Sequence, residues 1–97
     1  MKRYQIELTI SASKDIQEAV TYFDAISKNM ADKFLVDFES TFLKIKINPH
    51  YQIRYKATRC LRLKKFPFLV HFQLFEDEKL IKVTAVLHTS RDTKDWV

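Results

Sequence analysis

Two apolar segments near the C-terminal end of the chain alternate with polar residues in the way that β-strands do. They span residues 66–75 and 80–87, and charged residues separate them. Because successive side chains of a strand point to opposite faces, residues two apart share a face. One face is predicted to be apolar: Phe68, Val70, Phe72, Leu74, Ile81, Val83, Ala85 and Leu87. The other is predicted to be polar: His71, Gln73, Lys82, Thr84 and His88. The pattern predicts a sheet with one face in the core and one face that carries cations.

The first half of the chain predicts one strand and two helices. Residues 4–10 alternate like a half-buried strand. Ser11 or Ser13 can cap the first helix, and a break is expected near Asn29, which suits a left-handed C-cap. The second helix ends before Pro49. Its apolar stripe is the strongest helical pattern in the chain: Phe34, Leu35, Phe38, Phe42 and Ile45. A short link between the two predicts an antiparallel hairpin.

The full order of elements predicts the fold class. A further strand is expected over residues 59–66, before the two strands already described, and residues 51–56 are a candidate segment that the predicted order does not count. The order β-α-α-β-β-β favours an α+β fold, in which a two-helix hairpin packs on one face of an antiparallel sheet. With 97 residues, the chain is expected to be a single domain over positions 1–97.

Composition narrows the possible functions. Glycine is absent, which excludes the glycine-rich loops that bind phosphates in nucleotide-binding folds. The three histidines and Cys60 show no metal-ligand spacing, so neither a metal nor a cofactor is expected. No apolar run is long enough to span a bilayer, and no signal-peptide pattern opens the chain. Together with the single cysteine, this predicts a cytoplasmic protein with no membrane partner.

The positive charge is concentrated in one part of the chain. The formal net charge is +5, from 17 basic and 12 acidic residues. Residues 54–65 contain six cations and no acid: Arg54, Lys56, Arg59, Arg62, Lys64 and Lys65. Such segregation favours an anionic partner over a merely solvated face. Cys60 is in phase with Arg62 on the polar face, but no base is apparent that would make it a nucleophile.

Three segments carry a resemblance to a known family. They are Ala12-x-x-Asp15-Ile16 at the start of the first helix, TRCLRLKKFPF over residues 58–68, and VLHTSRD over residues 86–92. In this order and spacing they resemble the RelE/ParE superfamily of bacterial type II toxins, which includes plasmid-stabilisation toxins. The resemblance covers nearly the whole chain. It implies a RelE/ParE-like domain held inactive in a hetero-oligomer with a cognate antitoxin, which would lay an acidic segment over the basic face or the helical hairpin.

Members of the superfamily either cleave messenger RNA on the ribosome or inhibit DNA gyrase. Metal-free RNA cleavage needs a base, an acid, and cations that stabilise the phosphate. The resemblance implies that these come from the open sheet face and the C-terminal segment: His88, Arg62, Lys64 and Arg91. His88 would be the acid or base, and Arg62 and Arg91 would clamp phosphate. Residues expected to bind nucleic acid or the partner are Arg54, Lys56, Arg59, Lys65 and Trp96.

The sequence favours ribosome-dependent cleavage by a metal-independent endoribonuclease, with two alternatives. One is a non-enzymatic, ParE-like gyrase inhibitor, favoured because Thr89 stands where some nucleases carry Tyr and because the His88-x-x-Arg91 ending resembles that of ParE toxins. The other is an inactive module that still binds the antitoxin. His88 can equally be a structural histidine whose ring bonds a nearby backbone carbonyl at the strand end. Trp96 can fold back on the protein instead of meeting a partner.

Overall fold

The structure is a computed structural model that describes residues 4–90. Its elements are β1 (Gln5–Leu8), α1 (Ile10–Ile26), α2 (Lys28–Ile47), β2 (Ile53–Tyr55), β3 (Thr58–Arg62), β4 (Phe68–Phe75) and β5 (Leu80–His88), with a 3-10 turn (Glu76–Glu78) before β5. The predicted α+β fold is confirmed, but four strands follow the helices where the predicted order has three, because residues 53–55 form β2. The five strands form one sheet in the order β1-β5-β4-β3-β2. All neighbours are antiparallel except β1, which runs parallel to β5.

Two hydroxyl side chains fix the ends of the helices. Thr9 caps α1, because its Oγ1 accepts the N–H of Ala12 at 3.1 Å. Ser27 has an extended backbone between the helices, and its Oγ accepts the N–H of Met30 at 3.1 Å. The predictions of Ser11 or Ser13 as the first cap and of Asn29 as the break are therefore wrong. A single serine ends α1 and starts α2, so the link is shorter than expected.

Aromatic side chains fill the space between the hairpin and the sheet. The ring centroid of Phe23 on α1 lies 5.3 Å from that of Phe34 on α2. The ring of Phe34 in turn lies 5.2 Å from that of Phe68 on β4. Phe34, Val70, Phe72, Ile81 and Val83 are each fully buried. The sheet face that contacts the helices is therefore the face predicted to be apolar on β4 and on the first half of β5.

A β-bulge changes the register in the middle of β5. His71 on β4 pairs with Ala85, whereas the next residue, Phe72, pairs with Val83. Thr84 is thus the extra residue, and its Oγ1 donates to the carbonyl of His71 at 3.4 Å. A bulge of this kind moves every later side chain of the strand to the other face.

The bulge corrects the predicted faces of β5. After it, Val86 is the core residue, at 2% exposure, and not Ala85 or Leu87. His88 is paired with Phe68, and directly opposed residues share a face. The predicted position of His88 on the face opposite the helices is therefore wrong. Ala85 and Leu87 lie on that face instead.

The start of α1 is tied to the bulged strand. Thr9 donates its backbone N–H to the carbonyl of Val83 at 3.0 Å and its hydroxyl to the carbonyl of Thr84 at 3.3 Å. The Asp15 carboxylate accepts the N–H of Val86 at 3.0 Å. In a regular sheet, these backbone groups of β5 would pair with a neighbouring strand. Here the contacts with Thr9 and Asp15 satisfy them instead, and they set the position of α1 over β5. Neither helix of the described region is long and apolar enough to cross a membrane.

Candidate functional site

Arg62 lies on the sheet face that is turned away from the helices, here called the outer face. By strand pairing this face consists of Thr58, Cys60, Arg62, Leu69, His71, Gln73, Lys82, Ala85 and Leu87. Arg62 is exposed at the end of β3, and its Nη1 donates to the carbonyl of Leu63 at 3.0 Å. The outer face was predicted to be cationic, but its centre is neutral, since it is formed by Cys60 and His71.

Lys64 lies in the turn that joins β3 to β4, beside the hairpin. Its backbone N–H donates to the Asp37 carboxylate on α2 at 3.0 Å. With Lys65 it lines a groove of about 330 Å³ along α2, here called the α2 groove. Because β3 ends at Arg62, strand alternation no longer relates Lys64 to Arg62. The prediction that these two side chains share a strand face is wrong.

His88 lies on the helix-facing side of the sheet. Its ring centroid is 5.3 Å from that of Phe68, in an edge-to-face arrangement. Its Nδ1 accepts the backbone N–H of Ser90 at 3.0 Å and lies 2.7 Å from the Ser90 hydroxyl. The ring contacts backbone at the strand end, as in the structural alternative for this residue, but through an amide N–H and not through a carbonyl.

The structure does not bring the predicted catalytic residues together. Arg62 is on the outer face, Lys64 is beside α2, and His88 is beside α1. Arg91, the fourth member, lies outside the described residues, as does Trp96. The catalytic roles of these residues stay predictions, but the shared open surface on which they were based is absent from the part of the chain that the structure describes.

The predicted binding cluster is also divided. Arg54 and Lys56 are exposed at β2 and in the turn that follows it. Arg59 pairs with Phe72 and is half-buried on the helix-facing side, where its Nη1 donates to the carbonyl of Tyr51 at 2.7 Å. Lys65 is exposed beside α2. The acid-free run of sequence therefore supplies cations to three surfaces instead of one.

Tyr55, Cys60 and His71 form a cluster on the outer face that the sequence analysis missed. The Tyr55 hydroxyl lies 2.8 Å from His71 Nδ1, and the Cys60 sulfur lies 3.4 Å from the same nitrogen. Burial lowers the pKa of His71, against the opposing charge of Asp15. Burial also raises the pKa of Cys60 to about 11, and Arg54 opposes that shift. A protonated, buried thiol is unreactive, so this cluster is structural.

The signal for this cluster was available in the sequence. Cys60 and His71 have the same phase on two predicted neighbouring strands, so the correct strand register would have paired them. Register between separate strands is set by contacts that no single-strand pattern reveals.

A second unpredicted cluster surrounds Glu76, at the start of the turn between β4 and β5. The carboxylate accepts the Tyr4 hydroxyl at 2.8 Å and Lys79 Nζ at 2.6 Å, and it lies 2.9 Å from His50 Nε2. Hydrogen bonds from Lys79, His50 and Tyr4 lower the pKa of Glu76 to about 2. The cluster links β1, the loop after α2 and the last hairpin. His50 belongs to the loop after α2.

Within residues 4–90, no group of three His, Cys, Asp or Glu side chains is arranged to hold a metal ion. The candidate binding surfaces described so far are the outer face and the α2 groove.

The sequence model of the family described as "ParE toxin of type II toxin-antitoxin system, parDE" matches residues 6–93. The chain belongs to this ParE toxin family. It is therefore the toxin component of a type II toxin–antitoxin system, within the RelE/ParE superfamily that the sequence resembled, and its partner is an antitoxin.

The fold of this ParE-family toxin is also found in a solved structure described as "Chromosomal ParDE TA system from P. aeruginosa". The similarity covers 90% of this chain and 97% of that chain, with a TM-score of 0.75 and 17% sequence identity. At that identity it confirms the α+β fold alone. A comparison with curated proteins finds no match.

The outward side of α2 in this ParE-family toxin carries exposed apolar side chains. Val36, Leu43 and Ile47 are 67%, 61% and 80% exposed. Their spacing of seven and four residues places them in one stripe along the helix. The α2 groove lies at the start of this stripe, and its charged lining residues are Lys33, Lys64, Lys65, Asp32 and Asp37. An apolar stripe that begins at three cations suits an amphipathic acidic segment.

Proposed function

We propose that this protein is a non-enzymatic ParE toxin that inhibits DNA gyrase and that an antitoxin keeps it inactive. The observation that carries the proposal is the separation of Arg62, Lys64 and His88 onto three surfaces. Cleavage of RNA requires a base, an acid and a cation within hydrogen-bond reach of one phosphodiester. A toxin that acts by binding a protein needs only a complementary surface. The alternative that was secondary in the sequence analysis is thus preferred over ribosome-dependent cleavage.

The Tyr55–His71 pair does not restore a nuclease centre. Its distance of 2.8 Å suits proton transfer, but His71 is fully buried. A general base must reach the 2′-hydroxyl of a bound nucleotide directly or through one water molecule. The neighbouring Cys60 is 8% exposed and protonated, so it offers no second route to catalysis.

The proposal treats residues 1–97 as one toxin domain that acts in the cytoplasm, where gyrase is found, and it requires no cofactor. Its antitoxin would place an acidic, amphipathic segment along α2. Val36, Leu43 and Ile47 would then be covered by apolar side chains, and Lys33, Lys64 and Lys65 would meet carboxylates. Complementary charge at the rim of an apolar contact sets orientation and increases the rate of association.

Supercoiling of relaxed plasmid by purified gyrase tests the mechanism. Purified toxin should stop the reaction, and addition of the antitoxin should restore it. Mapping of transcript ends after induction of the toxin in cells is the companion measurement, and it should show no new cleavage sites. Unchanged supercoiling together with new transcript ends would establish the nuclease alternative. Unchanged supercoiling without cleavage or growth arrest would identify an inactive antitoxin-binding module.

A further inference from the structure

A second groove lies between α1 and the end of the sheet, on the side of the molecule where His88 is found. Its volume is about 410 Å³, and we name it the α1 groove. Its wall on α1 contains Ala19, Tyr22 and Phe23. The opposite wall contains Phe68 and Val86. Grooves of this size accommodate small ligands or the side chains of a bound peptide.

Aromatic rings make up most of the walls of the α1 groove. The centroids of Tyr22 and Phe23 lie 5.2 Å apart, and those of Phe23 and Phe68 lie 6.0 Å apart. Tyr22 is 64% exposed, so one ring face remains accessible at the entrance. The rings of Phe68 and His88 contact each other deeper on the sheet side. Phe23 and Phe68 are only 7% and 9% exposed, so an occupant would mainly contact the ring of Tyr22.

Two carboxylates border these rings. Asp15 and Glu18 are lining residues one helical turn apart on α1. Asp15 is held in place because it accepts the N–H of Val86 at 3.0 Å. Among residues 4–90, no Lys or Arg lines the groove, although the chain as a whole is basic. Within the described residues, neither carboxylate takes part in an ion pair.

We infer that the α1 groove binds an arginine side chain presented by an apolar segment of a protein partner. A guanidinium stacks on aromatic rings through its flat face, and it can donate two parallel hydrogen bonds to a carboxylate. Its head group would stack on the exposed ring of Tyr22 and reach Glu18, one helical turn away on α1. Arginine fits better than lysine, whose compact ammonium neither stacks nor donates in this paired manner.

The charge of the groove excludes other classes of occupant. Carboxylates repel the phosphates of nucleic acids and of acidic lipids, so a polyanion is disfavoured here. The α1 groove also differs in sign from the α2 groove, which is lined by Lys33, Lys64 and Lys65. The inference is thus independent of the antitoxin segment proposed for α2, and it concerns a basic segment of a protein.

Titration with a small blocked peptide tests the inference. The probe is acetyl-Leu-Arg-Leu-amide, and its matched control has citrulline in place of arginine, which keeps the shape and removes the charge. Binding is followed by NMR through the backbone amides of Tyr22 and Val86. The arginine peptide should bind roughly fivefold to tenfold more tightly than the citrulline peptide, and added salt should reduce this preference.

Glu18→Gln and Glu39→Gln provide matched variants, since both residues are exposed on helices and only Glu18 lines the α1 groove. The arginine preference should disappear in Glu18→Gln and persist in Glu39→Gln. Equal binding of the two peptides, unchanged preference in Glu18→Gln, or shifts confined to amides outside the groove would each overturn the inference. So would a complete lack of binding at millimolar peptide.

Discussion

The Asp37 carboxylate on α2 accepts the backbone N–H of Lys65 at 2.7 Å. It also accepts the N–H groups of Lys64 and Phe66, each at 3.0 Å. Three consecutive amides of the turn between β3 and β4 thus converge on one buried side chain. Because hydrogen bonds to a charged acceptor are stronger than those to a neutral one, this contact fixes the turn against the hairpin.

Asp37→Asn should lower the free energy of unfolding by about 2–4 kcal/mol, because an amide offers one acceptor oxygen where the carboxylate offers two. Urea denaturation measures the change. Asp32→Asn is the control, since Asp32 is exposed on the same helix, and its effect should be within about 0.5 kcal/mol of zero. Equal effects of the two substitutions would contradict the assigned role of Asp37.

Ala57→Gly should stabilise the protein. Lys56 and Ala57 connect β2 to β3 with φ angles of 38° and 59°, a left-handed conformation that glycine adopts without strain. The gain should be about 0.5–1 kcal/mol, measured as an increase in Tm. Ala25→Gly in α1 is the matched control and should destabilise by a similar amount. A lower Tm for Ala57→Gly would show that the turn does not carry this strain.

Stability should decrease as the pH falls below 6.5, because burial lowers the pKa of His71 from that value. The unfolded chain then binds a proton that the folded chain does not, so the free energy of unfolding falls between 6.5 and the folded pKa. The expected slope is at most about 1.4 kcal/mol per pH unit. Urea midpoints measured between about pH 7.5 and about pH 5.5 test this.

His71→Phe should flatten that pH dependence, because the phenyl ring keeps the bulk of the side chain and does not titrate. His88→Gln is the control for histidine titration in general, and it should leave the slope in place. If His71→Phe and the unmodified protein show the same slope, another group is responsible.

The Cys60 thiol should resist alkylation in the folded protein. Burial raises its pKa to about 11, and only the thiolate reacts. With iodoacetamide near pH 8, modification should be at least about tenfold slower than in urea, where the thiol approaches its ordinary pKa. Mass spectrometry over time gives both rates. Comparable rates in the two conditions would mean that Cys60 is accessible.

Leu43→Glu should weaken antitoxin binding by roughly tenfold or more, since it places a charge in the apolar stripe of α2. The measurement is a titration of the purified toxin with its antitoxin. Ile10→Glu is the control, because Ile10 is similarly exposed but lies on α1. If Leu43→Glu binds the antitoxin with unchanged affinity, the antitoxin must bind to another surface.

The two helices and the strands β1, β3, β4 and β5 followed from local patterns in the sequence, whereas the order of the strands in the sheet did not. The stripe that begins with Phe34 predicted α2, and alternation predicted β4, because each pattern reports which side of one element is buried. Asp37 was also visible as a charged residue within that stripe. Its three partners were not, because they come from a turn 27 to 29 residues later.

The candidate site was harder to predict than the fold. The pattern of residues 83–87 predicts an uninterrupted strand and does not indicate that Thr84 is an extra residue. The bulge depends on Thr9, Asp15 and His71, which contact it from two other elements. Because the bulge was not predicted, His88 was assigned to the wrong face, and that assignment suggested a nuclease centre.

The β-bulge at Thr84 also affects how relatives of this toxin should be compared. A homologue with the same C-terminal residues, but without the extra residue of the bulge, would place its histidine on the opposite face of the sheet. A sequence alignment would then assign to one position two side chains that contact different molecules. A role is transferred more safely from one such toxin to another when residues are matched by their strand pairing and not by their position in the sequence.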